Sequence, residues 1–478
     1  MKRLHVWAFV LLIVSAAGCG QTGQMSSPQA EQPGGQWHAS PTGTPEGDGS
    51  MAKPWDLKTV FAHPAAVKPG DTIWLHGGTY KIQGLTTSKL TGEEGKPIKL
   101  RQAIGERATL DTGDTSANRV RIIGAYTWYW GFEVMSSATT TRVAAHTSEA
   151  ARGMGVDVSA SGDPNTPDNK GIKFINMTVH DGQGGFGFWS HAYEGEIYGC
   201  VIYYVGCNQF QHGIYAQNNE GVKRIVDNVI SDNSGWGIHA YGSSKAYLNN
   251  FHIEGNILWN NGIIFKGYTR NIHVGGGRVA ENPVVVKNFS YLDPALDEGG
   301  TPAEIGYGVG ARNAVVKDNY FSSPKGTALV LKSEGATLTG NTFYGPVTGA
   351  DAATYPQNEF LTERPKGLHV MVRPNAYEKG RANIGVFNWD NLATVKVDVS
   401  AVLKKGDAYI VKDAQNFFGP AVAKGTYKGG AIELPMDLKE TAPVTGGPMI
   451  GNDKEQFPLK QPVHTPREFG AFVLMKQP

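Results

Sequence analysis

Three side chains in the middle of the chain have the chemistry to move protons: Tyr215, His239 and His273. Imidazole and phenol groups serve as general bases and acids. Each is the third residue of a short segment in which apolar residues alternate with other types, a period typical of a β-strand. Because side chains alternate across a strand, the second and fourth residues point inward and the third points outward. We therefore predict one outward column with neighbours about 4.8 Å apart.

Five segments align in this way, and they define two outward columns. The segments are Gly185–Trp189, Gly213–Gln217, Gly237–Tyr241, Asn271–Gly275 and Gly306–Gly310. Their third residues are Gly187, Tyr215, His239, His273 and Gly308. Their fifth residues are Trp189, Gln217, Tyr241, Gly275 and Gly310. The predicted face is aromatic and basic at its centre and flanked by glycine, and it carries no carboxylate.

Such a face suits proton transfer beside the carboxylate of a uronic acid, the first step of both a polysaccharide lyase and a C5-epimerase. His239 or His273 would be the base, and Tyr215 (or Tyr241) would be the acid. Arg278, just past the His273 segment, would neutralise the carboxylate. The other predicted substrate contacts are Trp189, Gln217, Tyr241, His212 and Trp236. The alternative is a ladder of like side chains that stack for stability alone.

A repeat positions these segments. One slot recurs between apolar runs, and it is filled by Asn176, Cys200, Asn228, Asn256, Asn288, Asn319 and Asn341, at steps of 24, 28, 28, 32, 31 and 22 residues. Self-similarity at this period indicates a solenoid whose repeats stack on one another. We predict that the asparagines bond from coil to coil inside it. Cys200 is then a small buried residue rather than a disulfide partner of Cys207. In a second register, Glu196, Arg224 and His252 form a charged structural ladder.

The N-terminus has the pattern of an export signal. Lys2 and Arg3 precede an apolar run from Val6 to Val14 and a stretch of small residues ending in Gly18-Cys19. This ending resembles the lipobox of bacterial lipoproteins, with Ala16 in place of the usual Leu. The resemblance implies cleavage after residue 18, lipidation of Cys19 and a protein exported and anchored to a bacterial membrane. Residues 19–53 are polar and are predicted to be a disordered tether.

Folded structure is expected from Pro54, with a short helix near residues 55–62 capping the solenoid. The segment Pro69-Gly-Asp-Thr-Ile-Trp-Leu-His-Gly-Gly-Thr-Tyr80 resembles the first strand of right-handed parallel β-helix proteins of the pectate-lyase-like superfamily. The resemblance covers about residues 69–345, and it implies action on a polysaccharide as lyase, hydrolase or epimerase. Calcium assists many of these enzymes, but we find no acidic cluster in register to hold it, and no other cofactor is indicated.

The predicted fold is therefore all-β: a cap and right-handed parallel β-helix over residues 54–344, a connector over 345–364, and a small antiparallel β-sandwich over 365–478. Within the solenoid, the polar stretch between Met135 and Gly171 is expected to be a long loop. The sandwich is predicted from short alternating strands separated by Gly, Asn and Asp turns.

The balance of charges argues against one class of partner. With 44 basic and 43 acidic residues, the chain lacks the excess positive charge that favours binding of nucleic acid. We expect a polysaccharide partner, membrane contact through the lipid, and a monomer.

Two alternatives to a lyase or epimerase remain open. One is a glycoside hydrolase whose carboxylates come from the 289–305 loop, which holds Asp293, Asp297, Glu298 and Glu304. The other is a non-catalytic glycan-binding surface protein.

Overall fold

A computed structural model describes residues 34–140, 143–144, 152–158, 169–265, 267–447, 450–451 and 462–477. The predicted signal peptide, Cys19 and the first part of the predicted tether lie outside these residues, so those predictions stay predictions. In the described part, no helix is both long and apolar enough to cross a membrane.

Three long parallel sheets form the body of the protein. The chain runs in coils, and each complete coil adds one strand to sheet A, then to sheet B, then to sheet C. Sheet A contains Gln36–Ala39, Thr72–Leu75, Ile98–Gln102, Thr127–Trp130, Lys173–Ile175, Glu196–Tyr198, Lys223–Val226, Phe251–Glu254, Val284–Val286, Val315–Lys317 and Thr337–Thr339. Sheet B contains Gly78–Lys81, Ala108–Asp111, Glu133–Met135, Thr178–His180, Val201–Tyr203, Val229–Ser231, Ile257–Trp259, Phe289–Tyr291, Tyr320–Ser322, Thr342–Tyr344 and Glu359–Leu361. Sheet C contains Leu85–Ser88, Arg119–Ile122, Val156–Val158, Phe186–Phe188, Ile214–Ala216, Ile238–Gly242, Arg270–Gly276, Thr301–Gly308, Leu329–Leu331 and Val347–Thr348.

The interior of the coil is a continuous apolar core. In sheet B, for example, Ile202, Ile230 and Leu258 stack in register, and each is fully buried. Branched side chains suit this position because they pack well on a pleated surface and lose little freedom there. The coils therefore stack by burying apolar surface that no single coil could cover alone.

The solenoid is longer at both ends than the sequence predicted. Gln36–Ala39 pairs in parallel with Thr72–Leu75, so residues 34–53 belong to the first coil rather than to a tether. Trp37 anchors this coil, because it stacks on Trp55 at 5.1 Å and donates to Asp71 Oδ2 at 2.8 Å. At the other end, Val347–Thr348 and Glu359–Leu361 continue sheets C and B through the predicted connector. The sequence did not reveal these end strands, because they are two to four residues long and lie in polar segments.

The predicted capping helix is present as Leu57–Phe61. Asp56 caps it by accepting from the Thr59 amide at 2.6 Å, as expected for an N-cap carboxylate. Leu57, Val60 and Phe61 are buried in the solenoid core. The Phe61 carbonyl accepts from Lys89 beside the first strand of sheet C, so the helix covers the open end of that sheet.

The asparagine repeat forms the internal ladder that was predicted. Asn256 Oδ1 accepts from the backbone and side-chain nitrogens of Asn228, both at 2.9 Å, and Asn256 repeats this pattern toward Asn288. The ladder runs on through Asn319 and Asn341 to Asn358. These amides satisfy backbone groups that a buried turn would otherwise leave unpaired.

Two details of the ladder differ from or sharpen the prediction. Thr178 pairs with Val201, so Met177 fills the slot beside Cys200, and the assignment of Asn176 was wrong by one residue. Asn176 instead takes the left-handed position with φ +52° and bonds the C-terminal domain. Cys200 and Cys207 are both buried, and among the described residues neither forms a disulfide, as expected for Cys200 from its slot.

The charged ladder is also confirmed on sheet A, where Glu196 pairs with Arg224 and Arg224 with His252. The predicted loop between Met135 and Gly171, in contrast, contains a strand of sheet C. Val156–Val158 pairs with Arg119–Ile122 on one side and Phe186–Phe188 on the other. Three residues are too few to show a strand period within a polar stretch.

The C-terminal region forms two antiparallel layers, as predicted. The larger layer contains, in spatial order, Leu368–Pro374, Arg381–Asn388, Phe469–Lys476, Ala408–Asp413 and Ala421–Thr426. The smaller layer pairs Thr394–Asp398 with Ala431–Pro435. Shorter elements are the 3₁₀ turn Ala414–Asn416, the strands Ala280–Glu281, Ala311–Arg312 and Ser333–Glu334, and the pair Val143–Ala144 with Ile450–Gly451.

The larger layer packs against the outer face of sheet B. Phe387 stacks on Tyr320 with ring centroids 4.2 Å apart, and Trp389 Nε1 donates to the Tyr320 hydroxyl at 2.7 Å. Tyr291 donates to Glu468 at 2.7 Å and stacks on Phe469. The C-terminal domain therefore covers this part of the outer face of sheet B.

Candidate functional site

Strand register brings the predicted column together on sheet C. Gly187 pairs with Tyr215, Tyr215 with His239, and His239 with His273. These are neighbours on the outer face, because Ile214, Ile238 and Ile272 beside them are fully buried in the core. The complete column, in spatial order, is Thr87, Arg121, Asp157, Gly187, Tyr215, His239, His273, Glu304, Val330 and Thr348.

The predicted alignment fails beyond His273. The neighbour of His273 is Glu304, not Gly308, because the paired strand is Thr301–Gly308, which begins before the predicted segment Gly306–Gly310. A register shift between Val274 and Gly275 then pairs Gly275 with Tyr307 and Gly276 with Gly308, so Gly310 is also outside the predicted column. The bulge changes the register by a single residue, so the main error was to align this segment on its glycines. The prediction that this face carries no carboxylate was therefore wrong, since both Asp157 and Glu304 are in the column.

Aromatic rings form a continuous strip along this face. Centroids are 5.2 Å apart for Trp189 and Tyr215, for Tyr215 and His239, and for His239 and Tyr241. Tyr307 extends the strip and lies 4.5 Å from His273. Trp189 and Tyr307 are each 39% exposed. We call Trp189, Tyr215, Trp236, Tyr241 and Tyr307, with the two histidines between them, the aromatic strip.

Gly187 gives the strip its shape at one end. A Cβ atom at this position would approach Asp157 Oδ1 to 2.8 Å and Trp189 Nε1 to 3.2 Å. Glycine therefore makes room for the hydrogen bond that Trp189 Nε1 donates to Asp157. The bond fixes the indole against the face of the sheet, where it remains partly exposed. The prediction that flanking glycines keep space open holds at this residue.

The two predicted catalytic histidines are more buried than expected. His239 is 7% exposed and His273 is 2% exposed. Trp236 covers both, with its ring centroid 4.4 Å from His239 and 4.0 Å from His273. His212, the predicted rim residue, lies beneath and bonds His239 Nδ1 through its Nε2 at 3.0 Å. The sequence pattern showed outward direction, but ring size in the neighbouring coils determines how much remains accessible.

Burial keeps these imidazoles neutral. Desolvation, with the neighbouring histidines adding to it, holds the pKa of His239 well below its ordinary value. Burial and His273 lower the pKa of His212 to about 3. Among the described residues, His239 Nε2 has no hydrogen-bond partner. The Trp236 amide donates to His212 Nδ1 at 3.0 Å, so neutral His212 donates from Nε2 to His239 Nδ1, and neutral His239 carries its proton on Nε2. A general base at His239 Nε2 therefore requires the other tautomer of both rings.

At the end of the strip, His273 approaches a carboxylate. His273 Nδ1 lies 3.2 Å from Glu304 Oε2 without an aligned hydrogen bond, and Arg270 Nε donates to the same oxygen at 2.8 Å. Burial opposes ionisation of Glu304, but His273 and Arg270 outweigh it and lower the pKa of Glu304 to about 2. Burial nevertheless lowers the pKa of His273. Glu304 is therefore an ionised group whose charge Arg270 already balances.

Tyr215 is the more accessible proton-transfer group. Gln217 Nε2 donates to its hydroxyl at 3.1 Å, and Gln217 in turn accepts from Ser190 at 2.8 Å. Burial raises the pKa of the Tyr215 hydroxyl, which therefore stays protonated at neutral pH. Tyr215 and Gln217 are both on the outer face, as predicted, and the bond between them leaves the hydroxyl proton of Tyr215 available for donation.

Two structural supports of the strip were missed in the sequence. Lys223 is fully buried, and its ammonium donates to the carbonyls of Phe188 at 3.1 Å and Trp189 at 2.8 Å, where these strands end. A second buried ladder joins Asn233, Asn261 and Asn271 through hydrogen bonds of 2.8 and 2.9 Å between their side-chain amides. The spacing from Asn233 to Asn261 equals the step from Asn228 to Asn256 in the first ladder, so this second recurring slot is the signal that could have revealed it.

Other predicted site residues have structural partners. Arg278 donates to the carbonyls of Ser243 and Ser244 and stacks on Tyr247 at 3.9 Å, so its donors hold a turn. In the 289–305 segment, Asp293 accepts from Ala295 and Asp297 from Gly300, as loop-forming carboxylates do. Within the described ranges, no group of three or more His, Cys, Asp or Glu side chains could hold a metal ion.

Comparison with known proteins bears on the fold. The family model for the right-handed β-helix region matches residues 130–290, where sheets A, B and C stack. The fold is therefore a right-handed parallel β-helix followed by an antiparallel domain, which confirms the predicted fold. The sequence itself has no significant match among curated proteins.

Solved structures similar to this β-helix include two lyases. Pectate lyase Pel9A is 17% identical, with 66% of this chain and 78% of that chain covered and a TM-score of 0.41. A rhamnogalacturonan lyase is 15% identical, with 64% and 87% covered and a TM-score of 0.38. XylC in complex with xylose is 10% identical, with 84% and 99% covered and a TM-score of 0.40. At these values the likeness concerns the fold alone.

Proposed function

We propose that the outer face of sheet C binds a polysaccharide and that the protein acts on it beside a uronic acid carboxylate, as a lyase or a C5-epimerase. The observation that carries this proposal is the aromatic strip, which is partly exposed and holds an unpaired nitrogen on His239 next to a protonated Tyr215. Similar folds with lyase names are consistent with a polysaccharide substrate. Flat rings with an apolar face and a polar edge suit the mixed surface of a sugar.

In the proposed reaction the Trp236 amide first releases His212 Nδ1, and His212 and His239 both change to the tautomer protonated on Nδ1. The freed His239 Nε2 then takes the proton on the sugar carbon beside the carboxylate. In a lyase, the electron pair left behind forms a carbon–carbon double bond as the bond to the glycosidic oxygen breaks, and Tyr215 gives its proton to that oxygen. In an epimerase, no carbon–oxygen bond breaks, and Tyr215 returns a proton to the opposite face of the same carbon. Because His239 is 7% exposed, the rings of Trp236 or Tyr241 must move to admit the sugar.

Arg121 is a further candidate for binding substrate. It is three strands from Tyr215 in the same column, a distance of about 14 Å. Its Nε is buried and has no hydrogen-bond partner in the described part of the chain. We propose that Arg121 binds the carboxylate of a sugar unit away from the reacting one, since Arg278 and Arg270 are held by other partners.

The test is incubation with a panel of uronic-acid and neutral polysaccharides. Lyase action produces unsaturated ends that absorb ultraviolet light, and epimerase action in heavy water exchanges the proton on the reacting carbon. Tyr215→Phe and His239→Ala should each lower the rate by about 100-fold or more, the range for a lost acid or base. His252→Ala, on the outer face of sheet A, is the matched control. Full activity in both sheet C variants would exclude these roles.

The pH profile gives a second readout of the same mechanism. A base is active in its deprotonated form, and burial holds the pKa of His239 well below its ordinary value. The acid limb of kcat/KM should therefore lie below about pH 6.5, the ordinary histidine value. An acid limb above this value would assign the base to another group.

Burial of the histidines favours a second candidate, a glycan-binding protein without catalysis. His273 is 2% exposed, and Trp236 covers it as well as His239. A binder would hold a polysaccharide of the panel on the strip without unsaturated ends and without proton exchange. The hydrolase alternative, with carboxylates from the 289–305 loop, has less support, because Asp293 and Asp297 hold that loop and Arg270 bonds Glu304. The two carboxylates of the sheet C column, Asp157 and Glu304, are five strands or about 24 Å apart, against the roughly 5–9.5 Å between the carboxylates of glycosidases.

We also propose export and anchoring through Cys19, on the sequence pattern alone. Membrane fractions of a bacterium expressing the full chain should hold the protein. Cys19→Ser should release it to the soluble fraction, and equal membrane retention of both would exclude the anchor.

A further inference from the structure

Two histidines meet at the N-terminal end of the solenoid, on sheet A rather than on sheet C. His38 is the third residue of the first strand of sheet A, and His76 follows directly after the second strand. His38 Nδ1 lies 3.0 Å from His76 Nε2, and both residues are partly exposed. Two imidazole nitrogens this close can share a proton, or a metal ion can take the place of that proton.

Glu106 holds His76 in the tautomer that a metal ligand needs. Glu106 Oε1 lies 3.1 Å from His76 Nδ1, and Glu106 Oε2 accepts from the Gly77 amide at 2.6 Å. The Gly77 bond lowers the pKa of Glu106, so this carboxylate is ionised at neutral pH and can only accept. The proton of neutral His76 is therefore on Nδ1, and the lone pair of its Nε2 is directed at His38. A carboxylate behind a histidine in this way fixes the ring and makes it a stronger metal ligand.

His38 is able to supply the second lone pair. Burial and the neighbouring His76 lower the pKa of His38, so its ring is neutral at neutral pH, as a metal ligand must be. In the pair as it stands, His38 Nδ1 donates its proton to His76 Nε2. When His38 takes the tautomer protonated on Nε2, its Nδ1 lone pair becomes free, and the pair loses no proton overall.

The backbone fixes both residues. The His38 amide donates to the Gly49 carbonyl at 2.8 Å, and the His38 carbonyl accepts from the Trp55 amide at 3.0 Å. The His76 carbonyl accepts from the Tyr80 hydroxyl at 2.8 Å. Metal ligands on rigid elements hold their geometry better than ligands on loops. Only the two rings therefore have to adjust when an ion binds.

The separation of the two nitrogens fits neighbouring ligands of one ion. Bonds of about 2.0–2.1 Å from zinc to imidazole nitrogen place two ligands about 2.8–3.4 Å apart at bond angles of about 90–110°. The ion lies off the line between the nitrogens, so each ring must turn by up to about 45°. Neutral imidazole suits Zn²⁺, Cu²⁺ and Ni²⁺, whereas Ca²⁺ takes oxygen ligands. Since no group of three or more such side chains in the described ranges could hold a metal, water completes the coordination.

We propose that His38 and His76 form a binding site for a divalent transition-metal ion such as Zn²⁺, with Glu106 orienting His76. The ion ties the first strand of the solenoid to the turn after the second strand and so stabilises this end of the fold. The site is independent of the reaction proposed for sheet C.

Calorimetric titration of the full chain with Zn²⁺ and with Ca²⁺, in a buffer that does not chelate metal ions, tests the proposal. Zn²⁺ should bind saturably at a site that His38→Ala abolishes, and Ca²⁺ should not compete for it. Glu106→Gln should weaken zinc binding by about 10–100-fold, the range for a carboxylate behind a metal ligand. Because the Glu106 side chain is 41% exposed, this variant tests the site even if His38→Ala does not fold.

His252→Ala is the matched control. His252 also bonds a carboxylate, that of Glu254 at 2.7 Å, and its side chain is 22% exposed against 21% for His76, but no second histidine bonds it in the described part of the chain. This variant should keep the zinc affinity within about twofold of the unaltered protein.

Thermal unfolding is the second readout, since an ion that binds only the folded state raises the midpoint. Zn²⁺ should raise the midpoint of the unaltered protein and of His252→Ala, but not that of His38→Ala. Absence of saturable zinc binding would overturn the proposal. Equal zinc affinity in Glu106→Gln, His38→Ala and the unaltered protein would also overturn it, because the ion would then be held elsewhere. Neither result bears on cleavage of polysaccharide at sheet C.

Discussion

Sheets B and C both carry aromatic residues and histidine on their outer faces, yet the two faces differ in how these groups are paired. His180 on sheet B bonds Glu133 at 2.7 Å and Asp181 at 2.8 Å, so both ring nitrogens have partners. His239 on sheet C has one nitrogen without a partner in the described part of the chain. The difference separates a face whose histidine is fully paired within the chain from the face on which we propose that a ligand binds.

Electrostatics follow the same division. Burial disfavours the charged form of His180, but Asp181 and Glu133 outweigh it and raise the pKa of His180. Burial acts on His239 without a carboxylate to oppose it, and the pKa of His239 falls. The two imidazoles are therefore shifted in opposite directions: carboxylate partners favour the charged form of His180, and burial favours the neutral form of His239.

The largest loss of stability is expected from removing a side chain that covers the outer face of sheet B. Phe387→Ala should lower the free energy of unfolding by about 3–5 kcal/mol, because a fully buried ring between Phe289 and Tyr320 is lost. Tyr307→Ala on sheet C, where the ring is 39% exposed, should cost less than about 1 kcal/mol. Chemical denaturation measures both. Similar losses would mean that the two faces do not differ in structural role.

A somewhat smaller effect is expected from the ladder beneath both faces. Asn256→Ala removes bonds to Asn228, Ile225 and Asn288 and leaves buried groups unpaired, so it should cost about 3 kcal/mol. Asn282→Gly is the control: Asn282 belongs to an exposed ladder and has φ +52°, which glycine tolerates. It should cost less than about 1 kcal/mol in the same denaturation experiment. A cost for Asn256→Ala as small as that of the control would show that the inner ladder contributes little.

The smallest expected effect is a pH dependence of the free energy of unfolding that comes from His180 on sheet B. His180 has a raised pKa, so its contribution to stability is complete below its ordinary value of about 6.5 and is lost as pH rises through the raised value. Stability should fall there by at most about 1.4 kcal/mol per pH unit, the slope for one proton. His180→Gln should remove this slope. Denaturation across neutral and alkaline pH measures it, and an unchanged slope in the variant would assign the dependence to other groups.

Most of the fold could be predicted from the sequence because a repeat reports the register of every coil it covers. The spacing of the Asn slots predicts that Tyr215, His239 and His273 are neighbours, and the strand pairing confirms it. What failed was local. The last segment was aligned on the glycines of Gly306–Gly310, whereas the strand is Thr301–Gly308 and places Glu304 beside His273.

The state of the site could not be predicted for a different reason. Outward direction follows from strand period, but exposure depends on the rings that neighbouring coils place above a residue, as Trp236 does above His239 and His273. The roles of Arg278 and of the 289–305 carboxylates depended in the same way on turn contacts within hydrogen-bond distance. Such contacts are tertiary, and one sequence does not contain them.

We propose above all that the aromatic strip on the outer face of sheet C is the surface that binds polysaccharide. The most direct test is the dissociation constant for a polysaccharide of the panel that binds or is cleaved, compared between a Trp189→Ala, Tyr241→Ala double variant and Trp128→Ala on the outer face of sheet A. Removing two stacking rings should weaken binding by about tenfold or more, while Trp128→Ala stays within about twofold. Equal affinity of the double variant and the unaltered protein would contradict the account.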